Sequence, residues 1–127
     1  MSKVLNTALS TGFSVTIQAS ARWSAPEYSD DIGAHPPADV YSFAMVMIEC
    51  FTLVRPFNNI RREVEVNGYI LRGGRPLRPS GNHPWITEST WNLMSECWQK
   101  DYAKRPTMKE VIYRLEQIVD KLYRFPY

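Results

Sequence analysis

The chain has 127 residues, of which 44% are apolar, so its composition allows one core of ordinary size and argues against a second domain. The 15 Lys and Arg residues oppose 13 Asp and Glu residues, and this balance does not favour a nucleic acid or a membrane surface as partner. The longest strongly apolar stretch, 43–50, is much shorter than the roughly 20 residues of a membrane-spanning helix. We therefore expect one globular unit that binds neither nucleic acid nor membranes.

The two cysteines, Cys50 and Cys97, each lie within an apolar helical pattern. This placement predicts two buried free thiols in a reducing compartment rather than a disulfide framework. The N-terminus has no apolar run of the length that a signal peptide requires. The sequence therefore predicts a protein of the cytosol or the nucleus.

The first 24 residues are rich in Ser, Thr and small residues, so we expect an extended loop there, with one short strand at most in 13–17. Pro26 and Glu27 suit the first turn of a short helix. The stretch 39–53 contains neither Pro nor Gly and is apolar on almost every face. A helix of this kind is buried on all sides, so we predict that 39–53 forms the central helix.

Three further helices are expected after the central one. The stretch 59–72 is more polar and ends at two glycines, and a proline-rich connector follows it. Thr87 is predicted to cap a helix that continues to residue 99. The residues 107–110 match the capping box, in which two side chains each accept a free amide of the first turn, and they predict the start of the last helix.

Helical spacing also predicts which side chains face the core in these helices. In the helix 59–72 the predicted inward residues are Ile60, Val64, Tyr69, Ile70 and Leu71. In the last helix they are Met108, Val111, Ile112, Leu115, Ile118, Val119 and Leu122.

A cluster of five arginines surrounds the connector: Arg61, Arg62, Arg72, Arg75 and Arg78. Such a run can meet a phosphorylated or acidic peptide. A solvated face beside a loop is the better interpretation, because no aromatic residues alternate with the arginines as single-stranded nucleic acid would require.

Four short strings occur in one order at characteristic spacings: Arg22-Trp23-Ser24-Ala25-Pro26-Glu27, Asp39-Val40-Tyr41-Ser42-Phe43, Cys97-Trp98-Gln99-Lys100-Asp101 and Arg105-Pro106-Thr107. Each string alone is weak, but the ordered set resembles the C-terminal lobe of a eukaryotic protein kinase domain, of the tyrosine-kinase-like group or its tyrosine-kinase relatives. The resemblance covers about residues 1–122.

The resemblance implies a mainly α fold, the helical C-lobe with an activation segment and about five helices, and without the N-lobe. It divides the chain into an activation-loop-like mobile segment at 1–24, a partial kinase domain at 25–122 and a tail at 123–127. The residues 1–5 resemble the stretch directly after the Asp-Phe-Gly motif of the family. We therefore expect the chain to begin just after that Gly.

The family pattern also implies structural roles for several residues. Glu27 and Arg105 resemble a carboxylate and a guanidinium that pair through two parallel hydrogen bonds. Asp39 resembles the Asp that starts the central helix, where in this chain it is expected only to cap that helix. The substrate-side loop, in which the family holds the residue beside the phosphorylated one, corresponds to Trp23, Ser24, Ala25 and Pro26. A rigid turn set by Pro26 is the alternative interpretation of that loop, and both can hold.

Phosphorylation sites in the family lie in the activation loop, where this chain has Ser10, Thr11, Ser14, Thr16 and Ser20. A phosphate there would add nearly two negative charges and order the loop against an arginine, but an unregulated Ser/Thr-rich loop is an equal alternative for each residue. The chain departs from the family pattern at Ala19 and Ser20, where Gly-Thr is usual, and at Ala44, where Gly is usual.

The motifs that carry phosphoryl transfer are absent from this sequence. It contains no Gly-x-Gly-x-x-Gly, no His-Arg-Asp and no Asp-Phe-Gly. ATP and Mg²⁺ serve the intact family domain, but we expect no cofactor and no metal site in this chain. The prediction is a fragment of a Ser/Thr or Tyr kinase that is inactive alone. The alternative is a non-catalytic, pseudokinase-like module that binds kinase partners or protein substrates. We also expect the fragment to expose an apolar patch on its central helix.

Overall fold

The computed structural model describes residues 21–27, 35–81 and 83–124. Four α-helices follow one another: α1 (Pro36–Thr52), α2 (Glu63–Leu71), α3 (Glu88–Cys97) and α4 (Met108–Arg124), with a 3₁₀ turn at Tyr102–Lys104. These ranges contain no strand, so the described part of the chain is mainly α, as predicted. The expected strand at 13–17 and the first 20 residues lie outside the described residues.

Helix α1 is the centre of the fold. Seven of its 17 residues are buried and only four are exposed, and Tyr41, Ala44 and Met45 have no exposed surface. Helix α1 packs against α3 and against the 3₁₀ turn, while α3 also packs against α4. The prediction of a central helix is therefore confirmed by its burial.

The predicted start of that helix at Asp39 is wrong by three residues. Helix α1 begins at Pro36, with His35 in the capping position, and Pro36 and Pro37 occupy its first turn. Proline favours this position because its fixed φ suits the helix and its missing amide would be unpaired there anyway. Asp39 is exposed in the first turn, where its charge complements the helix dipole without capping the helix.

The prediction for the cysteines is confirmed for one of them only. Cys97 is buried, and burial raises the pKa of its thiol to about 12. Cys50 is exposed because it lies on the same outward face of α1 as Val46, which is also exposed.

The cap at Thr87 and the Thr107 half of the predicted capping box are present. The Thr87 hydroxyl accepts a hydrogen bond from the Thr90 amide at 3.2 Å, and α3 starts at the next residue, Glu88. The Thr107 hydroxyl accepts one from the Glu110 amide, also at 3.2 Å, at the start of α4. Each bond satisfies one of the amides that the first turn of a helix leaves without an intrahelical partner.

The predicted inward faces of α2 and α4 are partly wrong. In α2 the buried residues are Val66 and Ile70, whereas Val64 and Leu71 are exposed. In α4 Val111 is fully buried, but the next residue, Ile112, and Val119 are exposed. Both helices therefore have more apolar surface than their neighbours in the described part of the fold cover.

Two glycines end α2 in the predicted place. The Gly73 amide donates to the Ile70 carbonyl at 2.9 Å, and the Gly74 amide donates to the Tyr69 carbonyl at 2.8 Å. Gly73 has a φ of 94°, which a side chain would strain. At Gly74 a Cβ atom would lie 2.3 Å from the Tyr69 ring, so any side chain there would have to displace this ring.

We predict opposite effects for two glycine-to-alanine variants. Gly74→Ala should destabilise the fold by about 1–3 kcal/mol, because the new methyl group displaces the Tyr69 ring. Gly68→Ala is the matched control, since its Cβ would meet only the end of the Arg72 side chain at 3.4 Å. That change lies inside α2 and should stabilise by up to about 1 kcal/mol. Urea unfolding followed by circular dichroism measures both, and equal stabilities would contradict the proposed contact.

Candidate functional site

The candidate site is the segment 21–27, which contains the predicted substrate-side loop. At its end the structure brings Glu27 and Arg105 together. Arg105 Nη1 donates to Glu27 Oε2 at 2.7 Å, and Arg105 Nη2 donates to Glu27 Oε1 at 2.9 Å. These two parallel bonds form the bidentate geometry that a guanidinium and a carboxylate favour. The Arg105 side chain has no exposed surface and that of Glu27 is 6% exposed, so this is a buried ion pair.

The remaining donors of Arg105 bind the backbone around the pair. Nε donates to the Gln99 carbonyl at 2.9 Å, and Nη1 also donates to the Pro37 carbonyl at 3.0 Å. The guanidinium lies over the ring of Tyr41, 5.1 Å from its centroid. Burial raises the pKa of Tyr41 to about 12, so this ring stays neutral beside the cation.

The charge of Glu27 is set by two opposing effects on its pKa. Burial acts to raise the pKa, but the hydrogen bonds from Arg105 and the charge of Arg105 lower it, and the net pKa is below its ordinary value of 4.5. His35 Nε2 lies 3.1 Å from Glu27 Oε2 and acts in the same direction when it is protonated. Glu27 is therefore ionised at neutral pH.

Arg22, at the other end of the segment, is a buried cation whose role the sequence did not predict. Nε donates to Glu63 Oε1 at 2.7 Å. Nη1 and Nη2 donate to four carbonyls, those of Pro56, Phe57, Ile60 and Arg61, at 2.7–3.3 Å. A guanidinium has five N–H donors, so all of its donors are used while the side chain is fully buried.

These bonds hold an unusual backbone conformation between α1 and α2. Phe57 has a φ of 57°, which is rare for a bulky side chain. Its ring is 5% exposed and packs edge-on against Tyr69, with 5.9 Å between the ring centroids. The carbonyl of Phe57 accepts one of the shortest bonds from Arg22, so this guanidinium offsets part of the strain.

The predicted substrate-side loop lies between the two buried arginines. The Trp23 indole donates to Glu49 Oε1 on α1 at 3.1 Å, and Ala25 is buried in the core. Ser24 and Pro26 are half-buried, and Pro26 and Glu27 form a short 3₁₀-type turn. The loop is therefore attached to the body at Arg22, Trp23 and Glu27, and its shape is fixed by side chains on three other elements.

The arginine-rich stretch does not form one surface. Arg75 points inward and donates to the carbonyls of Trp98 and Gly74, both at 2.6 Å. Arg78 pairs with Glu88 at 2.7 Å, and Arg62 lies 3.7 Å from Glu65. Because Arg75 is an internal structural residue, the five arginines do not form the single solvated face that the sequence predicted.

Two other predictions concern ligands and modification. The suggested phosphorylation sites Ser10, Thr11, Ser14, Thr16 and Ser20 lie outside the described residues. Within the described ranges, no three His, Cys, Asp or Glu side chains are placed to hold a metal ion. The expectation that this chain holds no metal and no cofactor stays a prediction, and we assign no step of phosphoryl transfer to the described residues. No described helix combines the length and the apolar character that crossing a membrane requires.

The four helices, and the loop that Arg22 and Arg105 hold against them, are consistent with the helical part of a protein kinase domain. The family model for protein tyrosine and serine/threonine kinases matches residues 2–115. The chain therefore belongs to the protein tyrosine and serine/threonine kinase family.

Serine/threonine kinases, a tyrosine kinase and a dual specificity kinase are similar to the chain. Serine/threonine-protein kinase STY17 of Arabidopsis thaliana is 36% identical over 98 residues, which are 77% of this chain and 16% of that protein. Proto-oncogene tyrosine-protein kinase ROS of Mus musculus is 35% identical over 95 residues, 75% of this chain and 4% of that protein. The dual specificity protein kinase pyk3 of Dictyostelium discoideum is 28% identical over 120 residues, 94% of this chain and 9% of that protein. The chain spans less than a fifth of each relative.

We predict a large loss of stability when the Arg22 guanidinium is removed. Arg22→Met should cost about 3–5 kcal/mol, because Glu63 and four carbonyls, of which those of Pro56 and Phe57 are buried, lose their donor. Arg22→Lys should recover only part of the loss, because an ammonium cannot reach five acceptors. Arg61→Met is the control, since the Arg61 side chain is exposed and should change stability by less than about 0.5 kcal/mol. Thermal unfolding distinguishes these cases, and full rescue by Lys would contradict the geometry.

The lowered pKa of Glu27 predicts a stability that falls in acid. A group whose folded pKa is lower than its unfolded pKa stabilises the fold fully above the unfolded value, and this contribution is lost as the pH falls through the folded value. Glu27→Gln should therefore cost about 3 kcal/mol near pH 7, and the difference from the unmodified chain should shrink below the ordinary value of 4.5.

Urea unfolding at a series of pH values measures this difference. Glu88→Gln is the control, because the exposed pair with Arg78 should contribute less than about 1 kcal/mol. The hydrogen bond from Arg114 also lowers the pKa of Glu96, so Glu96 makes the unfolding free energy fall in acid as well. All of the compared proteins contain Glu96, and its contribution therefore cancels when their unfolding free energies are subtracted. A pH-independent difference for Glu27→Gln would contradict the assignment.

Proposed function

We propose that this chain is the C-terminal, substrate-side part of a protein kinase domain, and that the whole domain transfers phosphate from ATP to Ser/Thr or Tyr residues in proteins. The observation that carries this proposal is the segment 22–27, which hydrogen bonds of Arg22, Trp23 and Glu27 hold against the helices. The Glu27 carboxylate of this segment pairs with Arg105. Glu27 lies where the family has the end of the activation segment, and Arg105 lies where the family has the loop before the last helix. Members of this family phosphorylate proteins.

The role proposed for this part of the domain is to hold the loop that receives the substrate. Trp23, Ser24, Ala25 and Pro26 are the substrate-side residues, and Arg22, Glu49 and Arg105 hold the loop from three sides. A loop fixed in advance loses little conformational entropy when it binds a peptide. The proposal covers Ser/Thr and Tyr residues as acceptors, because the relatives include a serine/threonine kinase and a tyrosine kinase.

The proposal includes inactivity of this chain alone. Phosphoryl transfer depends on positioned charges and metal ions, and the sequence lacks the Gly-rich loop, the His-Arg-Asp and the Asp-Phe-Gly that supply them in the family. ATP and Mg²⁺ belong to the whole domain in this proposal.

A non-catalytic interaction module is the alternative function. The observation in its favour is that α1 is buried without any further chain, since Tyr41, Ala44 and Met45 are fully covered. A part of a domain that forms its own core can bind kinase partners or substrates through the loop at 23–27. A pull-down with the full chain that recovers no kinase and no kinase substrate would exclude this alternative.

We predict that the purified 127-residue chain transfers no phosphate from ATP to a generic protein substrate above the level of a blank without protein. Mg²⁺ and ATP should also leave its melting temperature unchanged, because a ligand that binds the folded state raises it. An active kinase domain is the positive control in both assays. Transfer of phosphate, or a melting temperature that rises with the ATP concentration, would overturn the proposed inactivity.

A further inference from the structure

Two helices in the described part of the chain carry an outward apolar stripe of the same length. On α2, Val64 and Leu71 are 66% and 46% exposed. On α4, Ile112 and Val119 are 50% and 41% exposed. In both helices the two residues are seven positions apart, which places them on one face about 10.5 Å from each other along the axis.

The centre of the α2 stripe is positive. Gly68 lies between the two apolar residues and has no side chain, and Nη1 of Arg72 lies 3.4 Å from the position that a Cβ of Gly68 would occupy. The Arg72 guanidinium therefore lies back over α2, between Val64 and Leu71. Along the helix, the stripe is apolar, then cationic, then apolar.

The centre of the α4 stripe is negative. Ile112, Leu115 and Val119 line a shallow groove along this helix, and Glu116 borders it between the two exposed apolar residues. Glu116 is exposed, and in the described ranges no salt bridge includes Glu116 or Arg72. This stripe is apolar, then acidic, then apolar over the same length.

We propose that the α2 stripe of one copy of the chain docks on the α4 groove of a second copy. Val64 and Leu71 would then cover Ile112 and Val119, and Arg72 would pair with Glu116 of the second copy. The absence of a side chain at Gly68 leaves room for the Arg72 guanidinium on this face, where it can meet the carboxylate of the second copy. Charge complementarity and equal spacing select a second copy as the occupant, because the chain itself carries both halves of the contact.

The two faces lie on different helices, so each pairing leaves one α2 stripe and one α4 groove unoccupied. A contact of this head-to-tail kind forms open chains of copies unless its rotation closes a ring. The stripes are only two helical turns long, so the contact is small and the association is weak. Copies should therefore associate progressively with concentration rather than as a tight dimer.

Sedimentation velocity on the full chain at low salt tests the proposal, over concentrations from about 1 μM to about 1 mM. The mean sedimentation coefficient should rise with concentration beyond the value for a dimer, and salt should reduce the rise by screening. Glu116→Arg and Arg72→Glu should each weaken the association about tenfold, since each replaces an attraction by a repulsion. The double variant that carries both changes should restore it, because the two charges are exchanged.

Glu110→Arg is the matched control, since it makes the same change of charge on an exposed residue of α4 that does not line the groove. It should associate like the unmodified chain, and circular dichroism should show the same helix content for all variants. A monomer at every concentration would overturn the proposal. So would association that Glu116→Arg leaves unchanged, as for non-specific aggregation, or a double variant that stays as weak as the single ones.

Discussion

The buried guanidinium of Arg105 is the constraint on which the described fold depends. It bonds to Glu27, which lies 78 positions earlier in the chain, and also to the carbonyls of Pro37 and Gln99. One side chain thus joins the end of the segment 21–27, the first turn of α1 and the loop before α4. Because an unpaired buried charge costs several kcal/mol, the carboxylate of Glu27 strongly stabilises this arrangement of elements. The cation therefore fixes one arrangement of elements that apolar contacts alone would leave less specific.

Arg22 fixes the other end of the same segment in a different way. Its acceptors are one carboxylate and four carbonyls of the stretch that connects α1 and α2. Arg105 determines where the segment ends, whereas Arg22 determines how the connector folds around Phe57. Between them, the bond from Trp23 to Glu49 attaches the segment to α1 itself. The loop that resembles a substrate-binding loop therefore has no independent conformation, and a change in α1 or in the connector would alter its shape.

The sequence was sufficient for the presence of the four helices and for the Glu27–Arg105 pair, but not for where α1 and α2 begin or for the contacts of Arg22. Helices have a periodic apolar pattern, and the pair was implied by its place in two family strings. The partners of Arg22 are mostly carbonyl oxygens, which every residue possesses, so no residue type marks them. The positive φ of Phe57 has no signal in the sequence either, since bulky residues rarely adopt it. At Asp39 the usual preference for a capping acid gave the wrong start, because two prolines ahead of it can enter the first turn.

The wrong inward faces of α2 and α4 have one physical origin. Periodicity gives the direction of an apolar arc, but it does not give the width of the surface that a neighbour covers. In α4 the arc includes Val111, which the core buries, and Ile112, which it leaves half exposed. The expected exposure of apolar surface is therefore real but lies elsewhere: α1 is mostly covered, while α2 and α4 retain open stripes. A sequence pattern cannot distinguish a core face from a face that another molecule covers, because both bury the same residue types.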